Sequence, residues 1–374
     1  FRSRLNFGDG IRAYSVLEKP RNFREDSNFD YARWMSSQNI VCQTFINRFD
    51  WQKCRIDYSS ASIVDKARIR ASLLRKKLTD QLAQKVSDGM ALSIIAALSL
   101  GDKGNLDKSE KEMFAVAGAS HILALSGLHL GIIYFFMRLI FPRKRLRFVS
   151  SGVILLTIWF YVFLVGMSPS IVRAALTISL YEIISLLQRK TISLNTLAFA
   201  ALVILIANPL ALWDIGFQMS FCSLLSILIY FRPLYNCAPS WLRSFKATSW
   251  IWSTIVLSFV AQIGVAPLTA FYFGRIATYF AVTSIFVIPL AYGILLCTLF
   301  FFVFSAFPPV QAFFSVLVER FAIWLHLGVE CVAGWPGASV DEITIGRWMV
   351  VGWYVFVVAA TLVFLELTSD RVTS

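Results

Sequence analysis

From about residue 120 onward, long apolar runs alternate with short polar connections, whereas the first 120 residues hold no apolar run long enough to cross a bilayer. Nine runs stand out: His121 to Phe141, Phe148 to Gly166, Ser170 to Gln188, Leu194 to Ala207, Trp213 to Phe231, Trp250 to Tyr272, Ala277 to Ala306, Val310 to Ala333 and Ile345 to Leu367. An α-helix rises about 1.5 Å per residue and a hydrocarbon core is about 30 Å thick, so runs of this length predict membrane-spanning helices. The expected fold class is therefore a polytopic α-helical membrane protein of about nine spans, with its membrane domain over residues 121–374. The fourth run stops short before Asn208-Pro209 and the seventh contains Pro289, so helix breaks are expected at both.

Before that boundary the pattern changes twice. Over residues 1–60, turn signals such as Gly8-Asp9-Gly10 separate short β-prone pieces at Ile11 to Leu17, Pro20 to Asn28 and Ile40 to Ile46, as in part of a small β domain. Residues 61–120 read as helical. Ile63 to Lys85 carries an apolar stripe of Ile63, Ile69, Leu73, Leu74, Leu78 and Leu82, ringed by Lys66, Arg68, Arg70, Arg75, Lys76, Lys77 and Lys85 with only Asp65 and Asp80 in opposition. Such a helix suits an anionic lipid surface, nucleic-acid phosphates or a plain solvated face. Met90 to Leu100 is apolar but eleven residues long, about 16 Å, and so is expected to half-insert rather than span.

Composition sharpens this division. Hydrophobic residues make up 57 % of the 374 and charged residues 15 %, with a net charge of +13, which excludes an ordinary soluble enzyme and a disordered chain. Residues 1–120 hold 20 basic and 14 acidic side chains; the longer remainder holds 15 and 8. Connections between spans separate into two sets: Arg143, Lys144, Arg145, Arg147, Arg189, Lys190, Arg232, Arg243 and Lys246 in one, and only Arg275 and Arg347 in the other. Because cytoplasmic loops retain Lys and Arg, the first set is expected inside, the region before His121 outside, and the C-terminus with Arg371 inside. Of six cysteines only Cys42 and Cys54 are placed to form a bridge. The chain opens on Phe1, with no Met and no leader-like segment, so an upstream part is expected.

Three polar clusters interrupt the apolar runs. The first is His121-Ile-Leu-Ala-Leu-Ser126-Gly127-Leu-His129-Leu-Gly131. Polar groups in lipid are costly unless paired, so Ser126 and His129 form either a packing seam or a substrate-lining one, and a Ser/His hydrolytic dyad is disfavoured because no carboxylate in that run orients the imidazole. On one continuous helix His121 and His129 lie about 12 Å apart and cannot share a metal ion. The second cluster, Gly166-Met-Ser168-Pro169-Ser170-Ile-Val-Arg173, puts an arginine just inside a helix, where snorkelling or function explains it equally, and Glu182 nine residues on faces the opposite side. The third is Trp213-Asp214-Ile-Gly216-Phe217-Gln218-Met-Ser220, in which Asp214 is placed to cap a helix and Gln218 needs partners or water. Glu319, His326 and Glu330 share a face of the eighth run, a stripe too polar for lipid.

At these residues the sequence resembles the ComEC family of competence proteins, inner-membrane channels for DNA uptake in bacterial transformation. Phe114 to Gly131 looks like the family's signature, and the segments Gly166 to Ala174 and Gly216 to Phe221 follow in the expected order; Gly8-Asp9, Pro20 and Phe29-Asp30-Tyr31 are similar to the end of its periplasmic OB-like domain. The resemblance implies passage of one DNA strand, with His121, Ser126, Gly127, His129, Ser168, Arg173, Asp214, Gly216, Gln218 and Ser220 on the path. Lys66, Arg68, Arg70, Arg75, Lys76 and Lys77, with the tract Arg2 to Arg24, would supply a positive approach surface. The helices that open the family's N-terminus, the start of its OB-like domain and its metallo-β-lactamase-like domain have no counterpart in the sequence. The implied partners are single-stranded DNA, membrane lipids, a separate nuclease, a DNA receptor and a cytoplasmic ATPase, with homo-oligomers an option. No enzymatic activity, metal or cofactor is expected, since there is no P-loop and no metal-hydrolase motif. The competing expectation is a small-solute or lipid transporter, which buried charges and broken helices also suit.

Overall fold

The structure is a computed structural model that describes residues 9–22, 30–37, 40–47, 50–55, 62–123, 125–142, 147–187 and 193–373, the side chains of the last helix only as far as Leu362. Arg2, Arg4, Gly8, Arg24, Phe29, Arg143 to Arg145, Arg189 and Lys190 lie outside the described residues. Near the start, β1 (Asp9–Ala13) pairs antiparallel with β2 (Trp51–Arg55), pinned by a 2.6 Å Lys53–Asp9 ion pair. A single bridge joins Glu18 to Gln43, and Cys42 and Cys54 are unbridged. Helix α1 (Tyr31–Ser37) follows Asp30, whose carboxylate accepts the Arg33 amide at 3.0 Å.

The remainder is helical: α2 (Ile63–Ala83), α3 (Gly89–Ile95) continued by a π turn (Ala96–Leu100), α4 (Lys108–Val116), α5 (Ser120–Leu123), α6 (Gly127–Ile140), α7 (Arg147–Leu164), α8 (Pro169–Leu186), α9 (Ser193–Ala207), a 3-10 turn (Pro209–Trp213), α10 (Ile215–Asn236), α11 (Ser240–Ser244), α12 (Lys246–Phe273), α13 (Phe280–Val303), α14 (Pro308–Ala333) and α15 (Arg347–Thr373). Between α12 and α13 lies β3 (Ile276–Ala277), which pairs with β4 (Ser339–Val340) after α14. The protein is thus a polytopic helical membrane protein: α7, α8, α10, α12, α13 and α14 are each long and apolar enough to cross a bilayer, while α6, α9, the α3 segment and α15 as far as Leu362 are shorter apolar stretches.

Small residues set the close crossings. A Cβ on Gly264 of α12 would stand 2.4 Å from the Cys222 carbonyl of α10, and the Ser226 hydroxyl donates to Val260 O at 2.7 Å across the same contact. Gly293 and Gly328 give the rings of Phe321 and Phe286 room where α13 and α14 run antiparallel. In a bilayer, where lipid competes for apolar contact, such close approach is what holds helices together.

Two expectations need correction. Pro289 does not interrupt α13, which runs unbroken from Phe280 to Val303; the helix packs against α14, α12 and the α3 segment, and the proline lies on its exposed side. The first apolar run is not one helix either. Its chain leaves α5 at Leu123 and restarts at Gly127, because Ser126 is extended (φ −122°, ψ 173°) and caps the new helix.

The polar connections before α8, before α10 and between α12 and α13 gather at one end of the bundle, here called the upper end. Arg173 of α8 reaches Gly216 of α10, and Tyr272 near the end of α12 reaches Gln218. The N-terminal segment docks at that end: Asn208 donates to Ser37 O at 3.0 Å, and the Arg33 guanidinium lies 4.6 Å from the Trp213 ring centre. There too, Arg275 forms ion pairs with both Glu112 of α4 and Asp341, tying the pre-bundle helices to the β3–β4 clip.

Candidate functional site

The three polar clusters of the sequence begin three helices at the upper end. At α6, Ser126 and His129 form a capping pair: the Ser126 amide donates to His129 Nδ1 at 3.2 Å, and the Ser126 hydroxyl lies 3.2 Å from the same nitrogen. Since Nδ1 accepts, the ring proton sits on Nε2. That nitrogen is buried and has no hydrogen-bond partner, and His129 itself is 0 % exposed. His121 Nδ1 lies 3.1 Å from the Gly118 carbonyl, outside this pair, although His121 and Lys103 stand within electrostatic reach of His129. Desolvation and then the charge of Lys111 hold the Lys103 ammonium below its ordinary pKa. Gly127 packs toward α8, where a Cβ would meet that of Ala174 at 3.5 Å.

At α8 the chain turns through Gly166 (φ +94°) and Met167 (φ +53°) before Ser168 caps and Pro169 opens the helix. A methionine at positive φ is uncommon and marks a turn that the surroundings impose. The Ser168 hydroxyl oxygen is buried without a partner. The fifth residue of α8, Arg173, is 5 % exposed and turned toward α10: Nη2 donates to the Gly216 carbonyl at 2.7 Å, and Nη1 lies 3.5 Å from Asp214 Oδ1. Its Nε has no partner. Snorkelling is therefore not what Arg173 does. Asp214 also caps α10, accepting the Phe217 amide at 2.8 Å. Gly216 is needed by proximity, since a Cβ there would lie 3.1 Å from Asp214 Oδ1 and 3.4 Å from Arg173 Nη2.

The structure thus joins Arg173, Asp214 and Gly216 in one contact and Ser126 with His129 in another, the two linked where Gly127 meets Ala174. Gln218 belongs to neither, being used on both sides: its Nε2 donates to Leu212 O and its Oε1 accepts from Tyr272, both at 2.9 Å. Ser220, a half-turn on, is half-buried, and its carbonyl accepts the Ser223 hydroxyl. Of the basic residues of α2, Arg68, Arg70, Lys76 and Lys77 are exposed and Lys66 is half-buried. Arg75 departs from the expected approach surface, because its Nη1 donates to the Val165 carbonyl at 3.2 Å beside Gly166. Glu319 leaves its expected stripe to accept the amides of Ser87 and Asp88 at 3.0 and 2.9 Å, while His326 pairs with Glu330 at 3.7 Å. Among the described residues, no three His, Cys, Asp or Glu side chains converge as a metal site requires.

At the other end of α8, sequence reasoning singled out Glu182 but not its partners. Arg138 of α6 pairs with Glu182 of α8 and donates to Ser150 and Ser151 of α7 at 3.1 and 3.2 Å. The Tyr134 and Ser151 hydroxyls both donate to the Glu182 carboxylate, at 2.6 and 2.9 Å. The available signal was an arginine in the last turn of an apolar run.

Comparison with known proteins assigns the chain to a family. The family model described as Competence protein matches residues 98–367. ComE operon protein 3 of Bacillus subtilis is 27 % identical over 266 residues, 69 % of this chain and 31 % of that protein. An uncharacterized protein of Aquifex aeolicus is 27 % identical over 271 residues, covering 72 % and 58 %. Recombination protein 2 of Haemophilus influenzae is 24 % identical over 290 residues, covering 73 % and 34 %. The matched region spans less than two thirds of each relative. No solved structure matches the chain.

Proposed function

Because the chain belongs to the competence protein family, we propose that it passes DNA, as a single strand, across the bacterial inner membrane during natural transformation. The observation that carries the reading is Arg173. A buried guanidinium in the family-matched region, only partly satisfied by Asp214 and Gly216, sits where α6, α8 and α10 all begin. Helix N-termini carry partial positive charge, so this end suits a polyanion arriving from outside.

In this reading the upper end faces the periplasm, as the arginine-poor connections at that end require. Nine helices cross the bilayer, with α6, α9 and α15 completing the six longer ones, and the C-terminus lies in the cytoplasm. Residues 1–60 are the end of an OB-like domain, residues 61–120 its link to the conduit, and residues 121–374 the conduit itself. The chain is a passage rather than a catalyst, so nuclease, DNA receptor and ATPase are separate proteins, and self-association remains an option open to the lipid-facing helices. Ser126 and His129 are a helix cap in this reading. The imidazole nitrogen near the hydroxyl already accepts the Ser126 amide, and no carboxylate reaches the other nitrogen.

The test is transformation frequency in a deletion strain complemented with wild type, Arg173→Ala or His129→Ala, with membrane levels of each protein measured alongside. Loss of transformation at normal protein level supports the reading. Normal transformation in the deletion overturns it and favours a small-solute or lipid transporter, to be measured as flux into liposomes.

A further inference from the structure

We infer that α2 does not lie on the membrane surface but dives into the bundle, and that the exposed polar ladder along it and the turn after it, Arg70, Lys77, Gln84 with Asp80 and Lys85, forms one wall of a water-filled path reaching mid-membrane. The inference deepens the DNA-conduit reading and rests on it only for what the wall touches.

The geometry begins and ends at one carbonyl. Arg75 on α2 donates to Val165 O at the upper end of α7. After the turn and α3, Gly101 (φ +72°) returns to that carbonyl, where a Cβ would lie 3.1 Å from it. Between the two contacts the chain travels away and back. The outward limb is the last part of α2 and the turn that follows it; the return limb is the seven α-helical residues of α3 and the five of the π turn, together about 18 Å long. Its direction is inward, since Tyr161, one turn below Val165 on α7, donates to Ser99 O at 2.9 Å.

The tip is held at depth. Both tip amides, Ser87 and Asp88, donate to one oxygen of Glu319, the twelfth of the 26 residues of α14. Asp88 in turn caps α3 through the Met90 and Ala91 amides at 2.8 and 2.9 Å. A carboxylate midway along a membrane helix is thereby used up in fixing a re-entrant hairpin. Backbone at membrane depth is tolerated where it is buried in protein or lines a water-filled cavity, and this hairpin does both. The α3 limb is enclosed: Ile94, Ile95, Ala97 and Leu98 are each 0 % exposed. The α2 limb buries Thr79, Leu82 and Val86 but exposes Lys77, Asp80, Gln84 and Lys85. Arg70, Lys77 and Gln84 recur every seven residues and so share a face, making one continuous stripe from above the bundle to the tip. Lysine and aspartate side chains standing open at that depth need water around them, and the cationic members of such a wall suit phosphates.

The test uses the full-length chain in intact cells, its six cysteines replaced and single cysteines introduced at Lys77, Gln84 or Lys85. The probe is a charged, membrane-impermeant methanethiosulfonate. Arg70→Cys serves as the wet reference, and Phe135→Cys and Leu156→Cys, on exposed apolar helix faces, serve as lipid references. A water-lined wall predicts labelling at all three positions within about threefold of Arg70→Cys and roughly tenfold or more above the lipid references. Labelling of Gln84→Cys and Lys85→Cys at the lipid-reference rate overturns the inference. A second arm adds a single-stranded oligonucleotide. Slowed labelling at Lys77→Cys and Lys85→Cys supports DNA on the wall. Unaltered labelling leaves the wet wall standing and counts against DNA as its occupant, so the two readings fail separately.

Discussion

Helix α8 contributes one partner to an arginine–carboxylate pair at each of its ends, Arg173 above and Glu182 below, and the two pairs are built differently. At the lower end Arg138 and Glu182 are enclosed by Tyr134, Ser150 and Ser151, and every arginine nitrogen has an acceptor. At the upper end Arg173 meets Asp214 at 3.5 Å, gives one nitrogen to a backbone carbonyl and leaves Nε unused. A buried ion pair adds stability only when its remaining hydrogen-bonding capacity is met. The lower pair meets that condition and reads as a lock on α6, α7 and α8. The upper pair leaves Arg173 Nε unspent, at the end where three helices begin, and under the proposed function that is the group an arriving anion would meet.

The largest effect expected from this contrast is at the lock. Glu182→Leu strands a buried guanidinium and should cost roughly 3–5 kcal/mol, visible as a large fall in detergent melting temperature and in membrane level. Arg138→Met combined with Glu182→Leu should recover most of that loss, because apolar replacement of both partners removes the stranded charge. A double variant no better than the single one would break the lock interpretation. At the upper end the expectation reverses. Arg173→Ala should keep its membrane level, since Asp214 still caps α10, yet lose a charged contact worth about 1.5–3 kcal/mol, or about 10–100-fold in transformation frequency. Adding Asp214→Ala should restore nothing. Recovery of transformation in that double variant would make the upper pair another lock.

A third, smaller effect concerns the hairpin anchor. Glu319→Ala removes the acceptor of two tip amides and should lower the melting temperature by an amount matching about 1–3 kcal/mol, while Glu319→Gln, which keeps a carbonyl oxygen in place, should lose less. Equal losses would mean that charge rather than hydrogen-bond acceptance holds the tip.

How much of this was legible depends on the range over which each feature is decided. Apolar run length is local, and each of the nine runs coincides with helix in the structure. Asp214 as a cap was readable from its place before an apolar run, and the half-length of Met90 to Leu100 was readable from its residue count. The break at Ser126 was not, because His121 to Phe141 is apolar on both sides of a residue whose extended backbone is set by its capping bond. Arg75 read as one more cation on a basic helix, and only the approach of α7 turns it inward. The partners of Arg138 lie 12, 13 and 44 residues away, a separation at which no periodicity connects them. Pro289 misled in the opposite sense, because neighbouring helices can tolerate a proline that the local pattern forbids.

The smallest effect expected is at Ser126. The Ser126 hydroxyl accepts the His129 backbone amide and lies against His129 Nδ1, while the Ser126 amide has Nδ1 as its own acceptor, so Ser126→Ala removes the hydroxyl half of the capping box and leaves the Ser126 amide satisfied. The cost should fall near the low end of N-cap substitutions, about 0.5–1 kcal/mol, with transformation within a few-fold of wild type. His129→Ala removes the acceptor itself and opens a cavity at a fully buried position, so its melting temperature should fall further. The order of the two variants is the informative result. If Ser126→Ala were the more damaging, and a fluorophosphonate labelled Ser126 in the wild type, the hydroxyl would be acting as a nucleophile and the cap reading would fail.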